Sequence, residues 1–391
     1  VIGLFRKPQT RAVDASKFGL AIDQLNDSTA GVNVTRDTAL TLSAVMGSVR
    51  LLANDIGGLP IHSFKRQGGR RLPIDNPVWV EQPNPFDPNE SGIDHIAQVV
   101  AAMLTDGNGI VSAGPSVDDP LELHALDARK ITIAREPNGA PRYTPVGSSE
   151  GLTAHQILHI PFFRLPGEVR GISPIEMMRR GIGRGLAAEE LGARYFAQGS
   201  TFGAVLEYPK DVDPDDTQVG AVLKALNKKH RGVRNAWALG AITGGGTLKE
   251  LGMKPADAQM IQTEEWTLEQ WARVTGIPPS MLGSQKPGAV AYASVEQRSI
   301  DYVVHAVVPI VIRLEKAYSR LLPFGSYIKF NAAALMRGDA KARAEFYATA
   351  LQNKWMTRDE VRGFEELEPL GLGFLETPNN NPPRGTNDAQ A

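Results

Sequence analysis

"WARVTGIPPSMLGSQKPGAVAYASVEQRSIDYVVHAVVPIVIRLEKAYSRLL", residues 271–322, joins two helical patterns through a stretch that belongs to neither. The first pattern ends at Gly276-Ile277-Pro278-Pro279, where glycine leaves the helix readily and proline cannot continue it. On the far side Ile300, Val303, Val304, Val307, Val311, Leu314, Tyr318 and Leu321 recur at helical spacing and predict one long amphipathic helix. Pro309 falls inside it, lacks the N–H of a helical bond and predicts a kink. Between them "GSQKPGAVAYASV" (283–295) is small and pliable, with Lys286 its only charge.

Working upstream, the pattern that ends at Thr275 begins near Ala256. Before it, "SPIEMMRRGIGRGLAAEELGARYFAQGS" (173–200) opens with Ser173 before Pro174, a good N-cap and first-position pair. It carries Ile182, Leu186, Leu191 and Phe196 and predicts one helix closing at Gly199. Between these two helices lies a small α/β insert. "FGAVLEYP" and "TLKEL" read as strands, and "DPDDTQVGAVLKALNKKHRG" reads as a helix that starts acidic and ends basic, matching its own dipole.

The N-terminal third is mixed. Leu42, Val45, Met46, Val49, Leu52 and Ala53 predict a helix stopped by Gly57-Gly58, and "IHSFKR" predicts a strand before the turn "QGG". Asn89 or Ser91 caps a helix ending near Asp106. "KITIAREPNGAPRYTPV" reads as a hairpin around Pro137-Asn138-Gly139, followed by a strand in "QILHIPFF". Toward the C-terminus, helices are expected near 339–353 and 357–366, the second opened by a Thr357/Glu360 capping box. Residues 1–35 read as an arm, and the Pro/Asn/Gly-rich stretch beyond Gly371 reads as a disordered tail.

With 42 Lys plus Arg against 43 Asp plus Glu in 391 residues, the charge names no partner and excludes a broad basic surface gripping nucleic acid. The absence of cysteine excludes disulfides, thiolate metal sites and cysteine nucleophiles. The apolar run "YVVHAVVPIVIRL" is too short to span a bilayer, and the N-terminus lacks a signal-peptide core, so a soluble, unsecreted protein is expected.

Motifs for chemistry are sparse. Gly-Lys never occurs, which excludes a Walker phosphate loop. "GIGRGL" (181–186) lies within a helix, where small residues allow close packing, and "TGGGT" (243–247) reads as a turn. "HQILH" spaces His155 and His159 as in a zinc helix, but its neighbours predict a strand and no third ligand follows. Lys224, Lys228, Lys229, His230, Arg231 and Arg234 form the one basic cluster. It reads either as a solvated helix end or as a contact for nucleic acid or an acidic partner. A soluble enzyme with scattered site residues and a sequence-specific DNA-binding module remain compatible with these features.

Six stretches, taken in order, narrow the choice. They are "SVRLLANDIGGLPIHSFKR", "PNPFDPNESGIDHIAQVVAAMLTDGNGIV", "RGISPIEMMRRGIGRGLAAEELGARYFAQGSTFGAVLEYP", "DAQMIQTEEWTLEQWARVTGIPPSMLG", "SVEQRSIDYVVHAVVPIVIRLEKAYSRLL" and "FNAAALMRGDAKARAEFYATALQNKWMTRDEVRGFEELEPLG". Together they resemble the portal protein (head-to-tail connector) family of tailed bacteriophages with long non-contractile tails, over roughly residues 40–372.

The resemblance implies an α+β fold in an elongated, multi-lobed protomer. It assigns an N-terminal arm to 1–29, a wing to 30–172, stem helices to 173–200 and 253–282 around a small α/β clip at 201–252, and a tunnel loop to 283–294. A kinked tunnel helix (295–322), a helical crown (323–371) and a flexible tail (372–391) follow. It implies a homo-oligomeric ring of about twelve subunits, closed by head-to-tail contacts. The ring stands at one capsid vertex of the virion, assembled in the host cytoplasm, as the channel for double-stranded DNA packaging and ejection. Major capsid protein, terminase large subunit and head-completion or adaptor proteins are the implied partners, with no membrane, cofactor, metal or enzymatic activity.

Gln285, Lys286, Pro287, Gly288, Ala289, Val290 and Tyr292 then fall in the loop expected to touch DNA. Lys224, Lys228, Lys229, Arg231 and Arg234 fall in the clip, expected to meet terminase, an adaptor or DNA. Balanced charge suits such a channel, because a duplex whose phosphates were widely neutralised would be held instead of sliding.

Overall fold

The computed structural model describes residues 32–197, 204–207, 247–250, 256–284, 293–336, 340–365 and 367–370. The chain divides into two units, Val1–Ala332 and Ala333–Ala391.

In the first unit a short turn of helix, α1 (Arg36–Ala39), leads into α2 (Ser43–Gly57). Val45, Val49, Leu52 and Ile56 bury one face of α2, as their spacing predicts. Met46 does not follow them and is 47 % exposed. At about 100° per residue it stands at the margin of the stripe that Val45 begins. The expected strand β1 (Ile61–Gln67) turns at Gly68-Gly69, both at positive φ, and pairs in a hairpin with β2 (Arg70–Ile74), which the sequence reading did not include. Ser91, not Asn89, caps α3 (Gly92–Asp106): its hydroxyl accepts from the Asp94 amide, and the Asp94 carboxylate accepts in return from the Ser91 amide. α2 and α3 pack closely at Gly57, where a β-carbon would come within 2.8 Å of the Ile93 carbonyl.

Gly107, at φ 74, turns the chain out of α3 into β3 (Asn108–Ser116), the central strand of a β4-β3-β8 sheet with β4 (Asp119–Leu126) and β8 (Ile157–Pro161). β5 (Ile131–Arg135) and β6 (Pro141–Pro145) make the predicted hairpin and add the two-residue β7 (Leu152–Thr153). Ile110, Ala128, Ile131, Tyr143 and Ile157 bury a common core between these two sheets.

The stretch expected as one helix from Ser173 is broken at Met178, whose ψ of 8° leaves the helical region. It yields α4 (Pro174–Met177) and α5 (Arg179–Ala197). Ser173 caps α4 as predicted and also donates to the Thr105 carbonyl at 2.5 Å, tying this turn to the end of α3. Leu191, expected inside, is 49 % exposed, since five residues beyond buried Leu186 the helix has turned to another face. Strands β9 (Ala204–Glu207) and β10 (Thr247–Glu250) pair antiparallel, Glu207 opposite Thr247.

α6 (Ala256–Thr275) follows, then α7 (Ala293–Tyr302), a π-turn at Val303–Val307 and α8 (Val308–Tyr318). The irregularity expected at Pro309 is therefore a wide turn ending just before it. That extra residue per turn shifts the helical phase, so Ile300 and Val304 are exposed while Tyr302, Val303 and Val307 are buried. The region expected as a helical crown begins instead with β11 (Ser326–Phe330), which pairs antiparallel with β1 in a β11-β1-β2 sheet.

In the second unit α9 (Ala340–Gln352) and α10 (Arg358–Phe364) occupy their predicted places, and Thr357 with Glu360 forms the predicted capping box. Phe346 meets Trp355 edge-on at 5.3 Å, and Tyr347 donates to Glu365 at 3.0 Å.

Candidate functional site

The seven loop residues singled out by sequence, Gln285 to Val290 and Tyr292, lie outside the described residues, as do Lys224, Lys228, Lys229, Arg231 and Arg234. What the structure supplies is the frame from which the loop departs and to which it returns.

The departure is built at the end of α6. Trp271 is fully buried with Leu42, Val45, Ile182 and Leu186, so α2, α5 and α6 share one apolar cluster. Helix-to-helix approach here depends on Gly185, whose added β-carbon would stand 3.0 Å from Thr267 and 3.3 Å from Leu42. This is the packing that "GIGRGL" predicted. Gly276 adopts φ +76 and terminates α6, with its amide on the Ala272 carbonyl. It lies so close to the π-turn that a β-carbon would come within 2.8 Å of the His305 carbonyl oxygen. Pro309, four residues on, has no N–H to offer that carbonyl. Ile277 is buried, and a single 3-10 turn, Pro279–Leu282, presses Leu282 against the Trp271 cluster. Gly283, at φ 96, then releases the chain.

The return is fixed along α7 and α8. Tyr302 is buried and donates to Asp55 of α2 at 2.6 Å; burial and the neighbouring carboxylate both push its phenol pKa up, so it stays a donor. Tyr318, fully buried, bonds the ring nitrogen Nε2 of His95 at 2.9 Å and stacks near Trp79. Burial holds His95 down at about pKa 4, with a smaller contribution from His124, so its imidazole is neutral at neutral pH. Glu315 is buried on the same helix, where it accepts from the Phe330 amide at 3.1 Å and pairs with Lys329. Ser319 reaches the Ile328 amide at 3.1 Å. β11 is thus clamped to the end of α8.

Sequence reasoning missed Asp55, His95 and Glu315. A signal existed for Glu315, an acid set between Val311 and Tyr318 on the apolar face; none existed for Asp55. The two histidines of "HQILH" separate: His155 is exposed in a turn, while His159 on β8 gives Nε2 to Asn108 at 2.9 Å and Nδ1 to Tyr143 at 3.2 Å. Both nitrogens of His159 are engaged in the sheet. Among the described residues no group of three or more His, Cys, Asp or Glu could hold a metal ion.

The chain is similar to known proteins along most of its length. A family model described as phage portal protein matches residues 43–366. A probable portal protein of Streptomyces phage phiC31 is 31 % identical over 365 residues, covering 88 % of this chain and 79 % of that one. The portal protein of Enterobacteria phage HK97 is 25 % identical over 239 residues, covering 59 % of this chain and 55 % of that one. Among solved structures, an HK97 family phage portal protein from Corynebacterium diphtheriae aligns with a TM-score of 0.60 at 16 % identity, over 79 % of this chain and 99 % of that one. The neck of a native gene transfer agent particle, computed with C12 symmetry, aligns with a TM-score of 0.55 at 20 % identity, over 90 % of this chain and 99 % of that one.

Proposed function

The chain belongs to the phage portal protein family, and from that membership we propose how its parts divide the work. Portal proteins are structural components of the virion, standing as a ring at the capsid vertex where head joins tail. In our reading residues 30–172 with β11 form the wing, α4 to α6 the stem around the clip at 201–252, and α9 and α10 the crown. Residues 283–294 form the loop that lines the channel for double-stranded DNA, and α7 to α8 form the helix that carries it.

The observation that carries this reading is the contrast between loop and frame. A segment of low charge joins two ends held by close tertiary contacts, Gly276 against His305 and Tyr302 on Asp55. Such a segment can touch a passing duplex without neutralising many phosphates or reading bases. Lys286 supplies one weak phosphate contact, and Val290 and Tyr292 shape the aperture. The basic residues Lys224, Lys228, Lys229, Arg231 and Arg234 meet terminase, an adaptor protein or emerging DNA at the clip, while the wing faces the major capsid protein.

The test is the length of packaged genome in particles carrying Lys286→Glu. Shortened genomes in particles with intact rings are expected; wild-type packaging removes Lys286 from the mechanism. Charge reversal at Lys228 and Lys229 tests the clip separately, and unchanged binding of terminase and adaptor would sink that assignment.

A further inference from the structure

Met46 is the one residue of the predicted α2 stripe that stays exposed, and it does so in a groove. The groove runs along the seam of α2 and α3 and encloses about 660 Å³. Met46, Val49, Ala97 and Ala101 give it an apolar floor, and Asp87, Glu90 and Asp94 crowd its far end, around the start of α3. Arg50 is the one lysine or arginine among the lining residues.

We propose that this groove takes up residues 2–11, "IGLFRKPQTR", of the same chain's N-terminal arm. Three observations choose that occupant. Its Ile2, Leu4 and Phe5 match the floor, and its Arg6, Lys7 and Arg11 match the three carboxylates, with no acid before Asp14. The C-terminal segment 371–391 is the poorer match, with Arg384 outweighed by Glu376 and Asp388.

The geometry of attachment also favours the chain's own arm. Val34 is buried in the cluster that holds Leu42 and Val45, twelve residues before Met46 on the groove wall. Residues 12–31 leave ample length, since an extended chain covers ~3.3 Å per residue. Tethering so near raises the effective concentration of the segment to roughly millimolar. This inference stands apart from the channel reading and survives if that reading fails.

The test uses the full chain, which contains no cysteine of its own. Lys7→Cys is combined with Gln98→Cys on the groove wall or, as control, with Arg142→Cys on the exposed face of β6. Disulfide formation under mild oxidation is followed by non-reducing electrophoresis and peptide mass. The intrachain bond with Gln98→Cys is expected at least tenfold faster than with the control. Asp87→Lys should slow it several-fold, and adding Arg6→Asp should recover part of the rate. Equal rates in the two pairs overturn the docking. An interchain bond overturns the assignment to the same chain and gives the groove to a second copy's arm. Far-ultraviolet circular dichroism matching the parent is required of each variant, and Asn89→Cys replaces Gln98→Cys if that one fails to fold.

Discussion

Gly276 and His305 touch through backbone alone: the glycine, at φ +76, lies where a β-carbon would stand 2.8 Å from the His305 carbonyl oxygen. The contact joins the end of α6 to the π-turn before Pro309, so both ends of the loop at 285–292 rest on one junction.

Gly276→Ala meets strain twice, from its backbone conformation and from the His305 carbonyl. Each costs about 1–3 kcal/mol, and a loss of about 2–6 kcal/mol is expected. Gly283→Ala is the control, since Gly283 has φ +96 but nothing within 4 Å, and should lose only the backbone part. Thermal midpoints at one protein concentration compare them; equal losses would show that the close approach contributes nothing.

Tyr302→Phe removes the hydroxyl that Asp55 accepts at 2.6 Å and keeps the buried ring. The expected loss is about 1.5–3 kcal/mol, as for a hydrogen bond to a charged group. Tyr302→Ala should cost more, about 3–5 kcal/mol, through the cavity. A Tyr302→Phe/Asp55→Ala cycle measured in urea should be non-additive; additivity means that the bond is not made in solution.

Glu315→Ala strands the Phe330 amide and releases the clamp on β11. A loss of about 1–3 kcal/mol follows from an unsatisfied buried donor. Glu315→Gln keeps an acceptor for that amide while Lys329, with a 46 % exposed side chain, turns to solvent, so its loss should be smaller. Hydrogen exchange at Phe330 separates the two variants: fast in the first, protected in the second.

His95 ties stability to acid. Its pKa falls from 6.5 to about 4 on folding, so between those values the unfolded chain binds the extra proton. The contribution is fully present above pH 6.5, declines as pH falls toward 4, and amounts to about 3 kcal/mol at one unit per 1.36 kcal/mol. The difference in unfolding free energy between wild type and His95→Gln should therefore shrink between pH 7 and pH 4. A difference independent of pH would contradict a neutral buried imidazole.

What local spacing encodes was legible in the chain. The Thr357–Glu360 box, the Ser173-Pro174 start, the hairpin at Asn138-Gly139 and the packing glycine Gly185 each follow from residues a few positions apart. Their physics is complete within a turn of helix or one reversal, so the sequence by itself determined them. It also determined the family, through six stretches in order.

The tertiary structure decided the rest. Tyr302 and Asp55 are 247 positions apart, and their bond exists because α7 is brought against α2. Whether Ser326–Phe330 becomes a strand depends on β1 being there to pair with it. The phase of the long helix depends on a π-turn that no spacing announces, which is why Ile300 and Val304 face outward against their pattern. Side-chain periodicity states what a helix could bury; only the neighbours that arrive decide what it does bury.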